Sequence, residues 1–189
     1  MTLAGPAGGL EALIETPRAA TAQTPKQFGV VLHPHPLHGG TMDNKVVYTL
    51  SRAFHEHGAP TIRFNFRGVG ASEGTYADGI GETEDALAVI AAGRARWPGA
   101  TMWLAGFSFG AGVAIRAAAR SKPQRLVTVA PAVDRIDLSD ASVPELPWLL
   151  VHGADDEVVD HRATLDWAAR QPHPPQVALL PACGHFFHG

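Results

Sequence analysis

Two periodicities alternate along this chain. Residues 10–16 read as a first strand, and residues 28–35 (FGVVLHPH) open as an unbroken apolar run, the pattern of a strand buried on both faces. Over residues 44–57, Val47, Leu50 and Phe54 recur at helical spacing, and Gly58 supplies a C-terminal stop. Residues 60–66 (PTIRFNF) return to the alternation of a strand. From about 81 to 96, Ala86, Val89, Ile90 and Gly93 share one helical face, with Glu82, Glu84 and Asp85 near the positive end of the helix dipole. A strand at 101–106, a helix at about 109–120, strands at 125–130 and 148–152, a helix at 161–170 and a strand at 176–180 complete the pattern.

Strands alternating with helices predict an α/β fold, a mostly parallel twisted sheet with helices on both faces. Pro172, Pro174 and Pro175 mark a local loop, and nothing resembles a linker, so residues 1–189 are expected to form a single domain. The span between Ala130 and Trp148 is too short to hold a cap domain. The chain stops soon after His185, where a further helix would pack, so a C-terminal helix is expected to be lacking.

A chain of 189 residues with 46% hydrophobic and 17% charged residues has the composition of a globular protein with a sizeable core. The net charge of −3 and the lack of any basic block argue against a nucleic-acid partner. A single cysteine excludes an intrachain disulfide framework and a multi-cysteine zinc site. The opening MTLAGPAGGL has neither the basic start nor the apolar centre of a secretion leader, so a cytoplasmic location is expected. The longest uncharged stretch, residues 97–115, is broken by Pro98, Gly99, Gly106, Ser108, Gly110 and Gly112. It reads as strand, turn and buried helix, and no membrane partner is expected.

The turn within that stretch carries the chemistry. Gly106-Phe107-Ser108-Phe109-Gly110 follows a predicted strand and opens a predicted helix, the setting in which a serine hydroxyl is raised above a sheet edge. Such a hydroxyl is a poor nucleophile until a base takes its proton and an acid holds the base in the right tautomer. Both are expected later in the chain, acid first. The strand at 148–152 ends in His152-Gly153 and runs into Asp155 and Asp156, both candidates for the acid. After the last strand comes Cys183-Gly184-His185, with His185 the expected base among ten histidines and His188 its nearest rival. Cys183 lacks a nucleophile turn and reads as a packed residue.

An oxyanion formed at Ser108 needs two backbone donors. The first is the Phe109 N–H, directly after the nucleophile; the second belongs to the loop closing an early strand, here His33-Pro34-His35-Pro36-Leu37-His38-Gly39-Gly40. Pro34 and Pro36 have no N–H, which leaves His35 and Leu37, with His35 preferred by position. Alternating prolines splay the three histidines, and no carboxylate or cysteine has ligand spacing beside them, so no metal is expected. His33 and His38 are read as structural or pocket-lining. Gly68-Val69-Gly70 lacks the third glycine of a dinucleotide fingerprint, since Glu73 stands there; it reads as a structural turn, and no cofactor is expected.

Taken together, LHPHPLHGGTMDNKVV, RFNFRGVGASEG, GFSFGAGVAIRAA, PWLLVHGADDEVV and GHFFHG resemble the α/β-hydrolase superfamily. The likeness is nearest to small bacterial hydrolases without a lid, related to carboxylesterases and dienelactone hydrolases, and it covers nearly the whole chain. It implies the α/β-hydrolase fold without a cap, Ser108 as nucleophile, Asp156 as acid and His185 as base, with backbone donors at Phe109 and His35. Asp156 is favoured over Asp155 because the fifth position of a His-Gly-x-x-Asp turn carries the acid in such proteins. The expected activity is that of a carboxylesterase-like serine hydrolase cleaving small or accessible esters through an acyl-enzyme. A thioesterase, amidase or lactone hydrolase would use the same machinery, and a non-catalytic ligand-binding protein would share the fold.

Overall fold

The computed structural model describes residues 1–17 and 24–188. Eight strands form one sheet: β1 (Thr2–Gly5), β2 (Gly8–Glu15), β3 (Gln27–Leu32), β4 (Thr61–Phe64), β5 (Thr101–Phe107), β6 (Arg125–Val129), β7 (Trp148–Gly153) and β8 (Gln176–Leu180). Among the described residues four α-helices accompany them: α1 (Lys45–Glu56), α2 (Ile80–Arg96), α3 (Phe109–Ser121) and α4 (His161–Ala169). The strand order is β1-β2-β4-β3-β5-β6-β7-β8, with β1, β2 and β4 paired antiparallel and all later pairs parallel.

The expected alternation is present, with one strand added. β1 pairs with β2 across the Gly5↔Gly8 register as a hairpin, in a segment whose small residues show no strand pattern. The β6–β7 connection holds only turns and bends, so no cap stands over the sheet there.

Side-chain alternation on the central strands sorts the core into two layers. Val30, Leu32 and Leu104 face the layer that holds Val89 and Ile90 of α2 and Val113 and Ile115 of α3, while Val31 and Ala105 face Val47 and Phe54 of α1. α1 starts where the Asn44 carboxamide oxygen accepts the Val46 N–H at 2.9 Å, an N-cap that satisfies an otherwise orphan donor. At the start of α2 the buried Glu82 accepts N–H groups of Ala77 and Gly79 at 2.9 and 2.8 Å.

Under the C-terminal edge of the parallel strands lie Phe64, Phe66, Phe107 and Phe109, all buried. Each contributes about 1.5–3 kcal/mol by leaving water. Phe66 meets Phe64 and Phe109 edge-on, with ring centres 5.2 and 5.9 Å apart. The turn between β5 and α3 therefore rests on core aromatics. At the far border, β8 pairs only with β7 among the described residues, and Val177, Leu179 and Leu180 remain about 40% exposed.

Candidate active site

Ser108 stands between β5 and α3 with φ 55° and ψ −118°, a strained conformation for a residue with a side chain. Backbone hydrogen bonds hold it there: its N–H donates to Val129 O at 2.8 Å, and its carbonyl accepts from Ala111, Gly112 and Ala132. Both flanking glycines are demanded by close approach. A Cβ at Gly106 would lie 2.2 Å from Gly110 O, and one at Gly110 would lie 2.3 Å from His33 O. The Gly-x-Ser-x-Gly spacing is thus the steric condition for strand, turn and helix to meet here.

The loops after β7 and β8 bring two more side chains to the same place. His185, 3% exposed, has Nε2 3.1 Å from Ser108 Oγ and Nδ1 2.8 Å from Asp156 Oδ2. An ionised carboxylate only accepts, so Nδ1 carries the ring proton and Nε2 is free to accept from the serine hydroxyl. Phe107 and Phe186 flank the imidazole, with ring centres 5.0 and 5.2 Å away, and the Glu157 carboxylate accepts the His185 backbone N–H. Burial alone would push the Asp156 carboxyl up. Hydrogen bonds from the Val159 N–H, the His185 ring and the Val158 N–H together hold it below the usual carboxylate range.

The rival residues lie elsewhere. Asp155 is exposed and its backbone N–H, not its carboxylate, makes the tie to Cys183 O. His188 is exposed beside Phe186. Cys183 is half-buried, with its thiol against Gly184 O.

The His33–Gly40 loop forms one wall. Leu37 N–H is taken up by His35 Nδ1 at 3.2 Å, whereas no acceptor among the described residues engages the N–H groups of His35 or Phe109. Of these two N–H groups, that of His35 is free of any described acceptor and that of Leu37 is not. The His35 ring has its pKa lowered mainly by burial, with His38 and Arg135 acting in the same direction and Asp78 opposing. Its Nε2 faces the Tyr76 hydroxyl at 3.3 Å.

His33 is buried at the end of β3. Its Nδ1 donates to Pro34 O at 2.6 Å and its Nε2 accepts the Phe66 N–H at 2.9 Å, which fastens the loop to the end of β4. Burial pulls its pKa from 6.5 down to about 4. Between those values the unfolded chain holds a proton that the fold refuses, so the stability His33 confers is complete above about pH 6.5 and is lost as the pH falls toward 4, by about 3 kcal/mol. Urea midpoints at pH 7 and pH 4.5 are expected to differ more in the parent than in His33→Asn; equal pH slopes in the two proteins would remove His33 as the cause.

Pro34, His35, His38, Ser108, Arg135 and His185 line a cleft of about 280 Å³. A second, more open depression of about 420 Å³, lined by Asp134, Asp156, Glu157, Asp160 and His161, meets the first at Val158 and reaches neither Ser108 nor His185. The smaller cleft is the one that can present a carbonyl to the serine. No group of three or more metal-ligating side chains is found among the described residues, and none of their helices is long and apolar enough to cross a membrane. The Gly68–Gly70 turn is held by Arg67, whose backbone N–H and guanidinium both bind Asp85.

Two contacts have no counterpart in the sequence reading. Tyr76 reaches the His35 ring from the β4–α2 connection, and no local pattern announces it. His152, at the end of β7, places Nε2 3.1 Å from Asp156 Oδ2. Its spacing of four residues from Asp156 is the signal that would have found it.

Known proteins bear on this arrangement. The profile of the family described as serine aminopeptidase, S33, matches residues 30–142. A protein of Rickettsia prowazekii (strain Madrid E), RP471, is 36% identical over 162 residues, 82% of this chain and 66% of its own length, so the match falls just short of two thirds of that relative. Among solved structures, XC6422 from Xanthomonas campestris, described as an α/β serine hydrolase without lid, is 43% identical with a TM-score of 0.94, over 100% of this chain and 85% of that one. An α/β serine hydrolase homologue from Coxiella burnetii is 41% identical with a TM-score of 0.94, over 100% of this chain and 89% of that one.

Proposed function

This chain belongs to the serine aminopeptidase S33 family of α/β-hydrolase-fold serine hydrolases, and from that premise we propose that it is a carboxylesterase-like enzyme acting on small or accessible esters. One observation carries the reading: the run of hydrogen bonds from Ser108 Oγ through His185 to Asp156, opening on a cleft.

In this reading His185 Nε2 takes the Ser108 proton as Oγ attacks the carbonyl carbon, and Asp156 stabilises the imidazolium. The carbonyl oxygen becomes an oxyanion held by the N–H groups of Phe109 and His35, each such donor being worth about 10²–10³ in rate. His185 returns its proton to the leaving alkoxide, the C–O bond breaks and an alcohol departs from an acyl-Ser108 ester. Water then attacks that ester, giving a proton to His185; the bond from the acyl carbon to Oγ breaks, His185 passes the proton to Ser108 Oγ, and the carboxylic acid leaves. One domain carries all of these groups, and no cofactor enters.

A cleft of about 280 Å³ lies at the small end of ligand sites, which favours short acyl groups. An amide substrate is the second reading, favoured by the aminopeptidase description of the family. p-Nitrophenyl esters of increasing acyl length, run beside aminoacyl p-nitroanilides, separate the two. Ester turnover is expected to exceed anilide turnover and to be highest for short chains. Faster anilide cleavage would replace the ester reading, and failure of the folded protein to react with a fluorophosphonate probe would overturn the serine-hydrolase mechanism.

A further inference from the structure

His152 is fully buried, and both partners of its Nε2 are acceptors: Asp156 Oδ2 at 3.1 Å and Val159 O at 3.3 Å. Nε2 therefore carries the proton and donates. Oδ2 of Asp156 thus receives N–H groups from two imidazoles, His185 at 2.8 Å and His152 at 3.1 Å, while Oδ1 takes the N–H groups of Val158 and Val159. The other ring nitrogen of His152, Nδ1, is buried with no hydrogen-bond partner among the described residues. A side chain present only to fill this space would be better served by Leu, Met or Phe, which bury no unsatisfied nitrogen. The contact that accounts for a polar ring here is the one to Asp156.

We propose that His152 is a positioning residue for the acid: its Nε2–H fixes the direction of Asp156 Oδ2 and limits how strongly that oxygen attracts the His185 proton. The proposal rests on the triad reading above. A carboxylate oxygen shared by two donors is a weaker base than one facing a single donor. Without the His152 N–H, Oδ2 would hold the His185 proton more tightly, and the base would be released only at higher pH. Burial lowers the pKa of His152 itself, against the pull of Asp156. The other charged groups around the cluster are Glu157 and Asp160 from the same loop, His161 and Arg162 from the start of α4, Asp134 and Arg135 from the β6–β7 connection, and Lys45 from α1. None of them changes in the variants below.

The test compares His152→Phe, His152→Asn and His152→Gln with the parent. The Gln amide nitrogen reaches the place of Nε2, whereas the Asn amide overlays Nδ1 and cannot. Two readouts are taken: the acid limb of kcat/KM for p-nitrophenyl acetate, and the titration of the His185 ring followed by NMR. In the Phe and Asn variants both midpoints are expected to rise by about half a pH unit or more, with kcat lowered about tenfold, and Gln is expected to bring both back to the parent's. Superimposable Phe, Asn and Gln profiles, or a folded variant without the donor that titrates like the parent, would overturn the proposal. Should His152→Phe fail to fold, the Asn–Gln comparison decides by the same criterion. A parent with no esterase activity would count against the ester reading alone, because the NMR titration still reports on His152.

Discussion

Replacing Ser108 with alanine is expected to lower turnover of the best ester by about 10⁶-fold while leaving the fold in place. The size follows from the site's dependence on one atom. Among the described residues, Ser108 Oγ is the only side-chain group hydrogen-bonded to the unprotonated nitrogen of His185, and Cys183 is held at Gly184 rather than in the cleft. The neutrality toward folding follows from the backbone. The hydrogen bonds that keep Ser108 at positive φ run from its N–H and to its carbonyl, all of which an alanine retains. Activity is measured by initial rates and the fold by circular dichroism. A residual rate within tenfold of the parent, in a folded variant, would show that the reaction proceeds without this hydroxyl.

The second large effect concerns the acid. Asp156→Asn is expected to cost about 10⁴ in kcat, and Asp155→Asn no more than a few-fold. An asparagine at 156 can still accept the N–H groups of Val158 and Val159 through its oxygen, so the loop keeps its shape. Its NH₂ would then face the two imidazole N–H groups of His185 and His152, donor against donor. His185 relieves the conflict by moving its proton from Nδ1 to Nε2, and in that tautomer it cannot accept from Ser108. Asp155 makes no carboxylate contact with the cluster among the described residues, and losing its charge touches nothing in the line from serine to acid. If Asp155→Asn abolished turnover and Asp156→Asn did not, the acid would be misassigned.

Much of this was legible before any coordinates, for stated reasons. The parallel strands and their helices announce themselves because two-sided burial leaves unbroken apolar runs such as FGVVL, and one-sided burial leaves Val47, Leu50 and Phe54 at helical spacing. β1 was not legible: its residues, TLAG, are small and half-exposed, and its strand character comes from pairing with β2 rather than from its own pattern. The convergence of Ser108, Asp156 and His185 was expected from chain order, because parallel strands deliver their C-terminal loops to one edge. Between the N–H groups of His35 and Leu37, the sequence favoured His35 by position alone; which of the two is engaged by a neighbour was not legible. That depends on where one imidazole folds back, which no spacing encodes. The sharing of Asp156 by two histidines had a signal, the four-residue spacing of His152 from Asp156, but a strand end running into a turn does not by itself bring two such side chains together.

Of the three members of the line, the serine and the acid hang from strands paired on both flanks, β5 between β3 and β6 and β7 between β6 and β8. The imidazole hangs from β8, which among the described residues is gripped on one flank only. Local opening begins where the ladder is thinnest. Warming would therefore unhook the base before the central strands part, so that the protein passes through a folded, idle form with its nucleophile still in place, and on cooling one short strand needs only to re-zip for turnover to return.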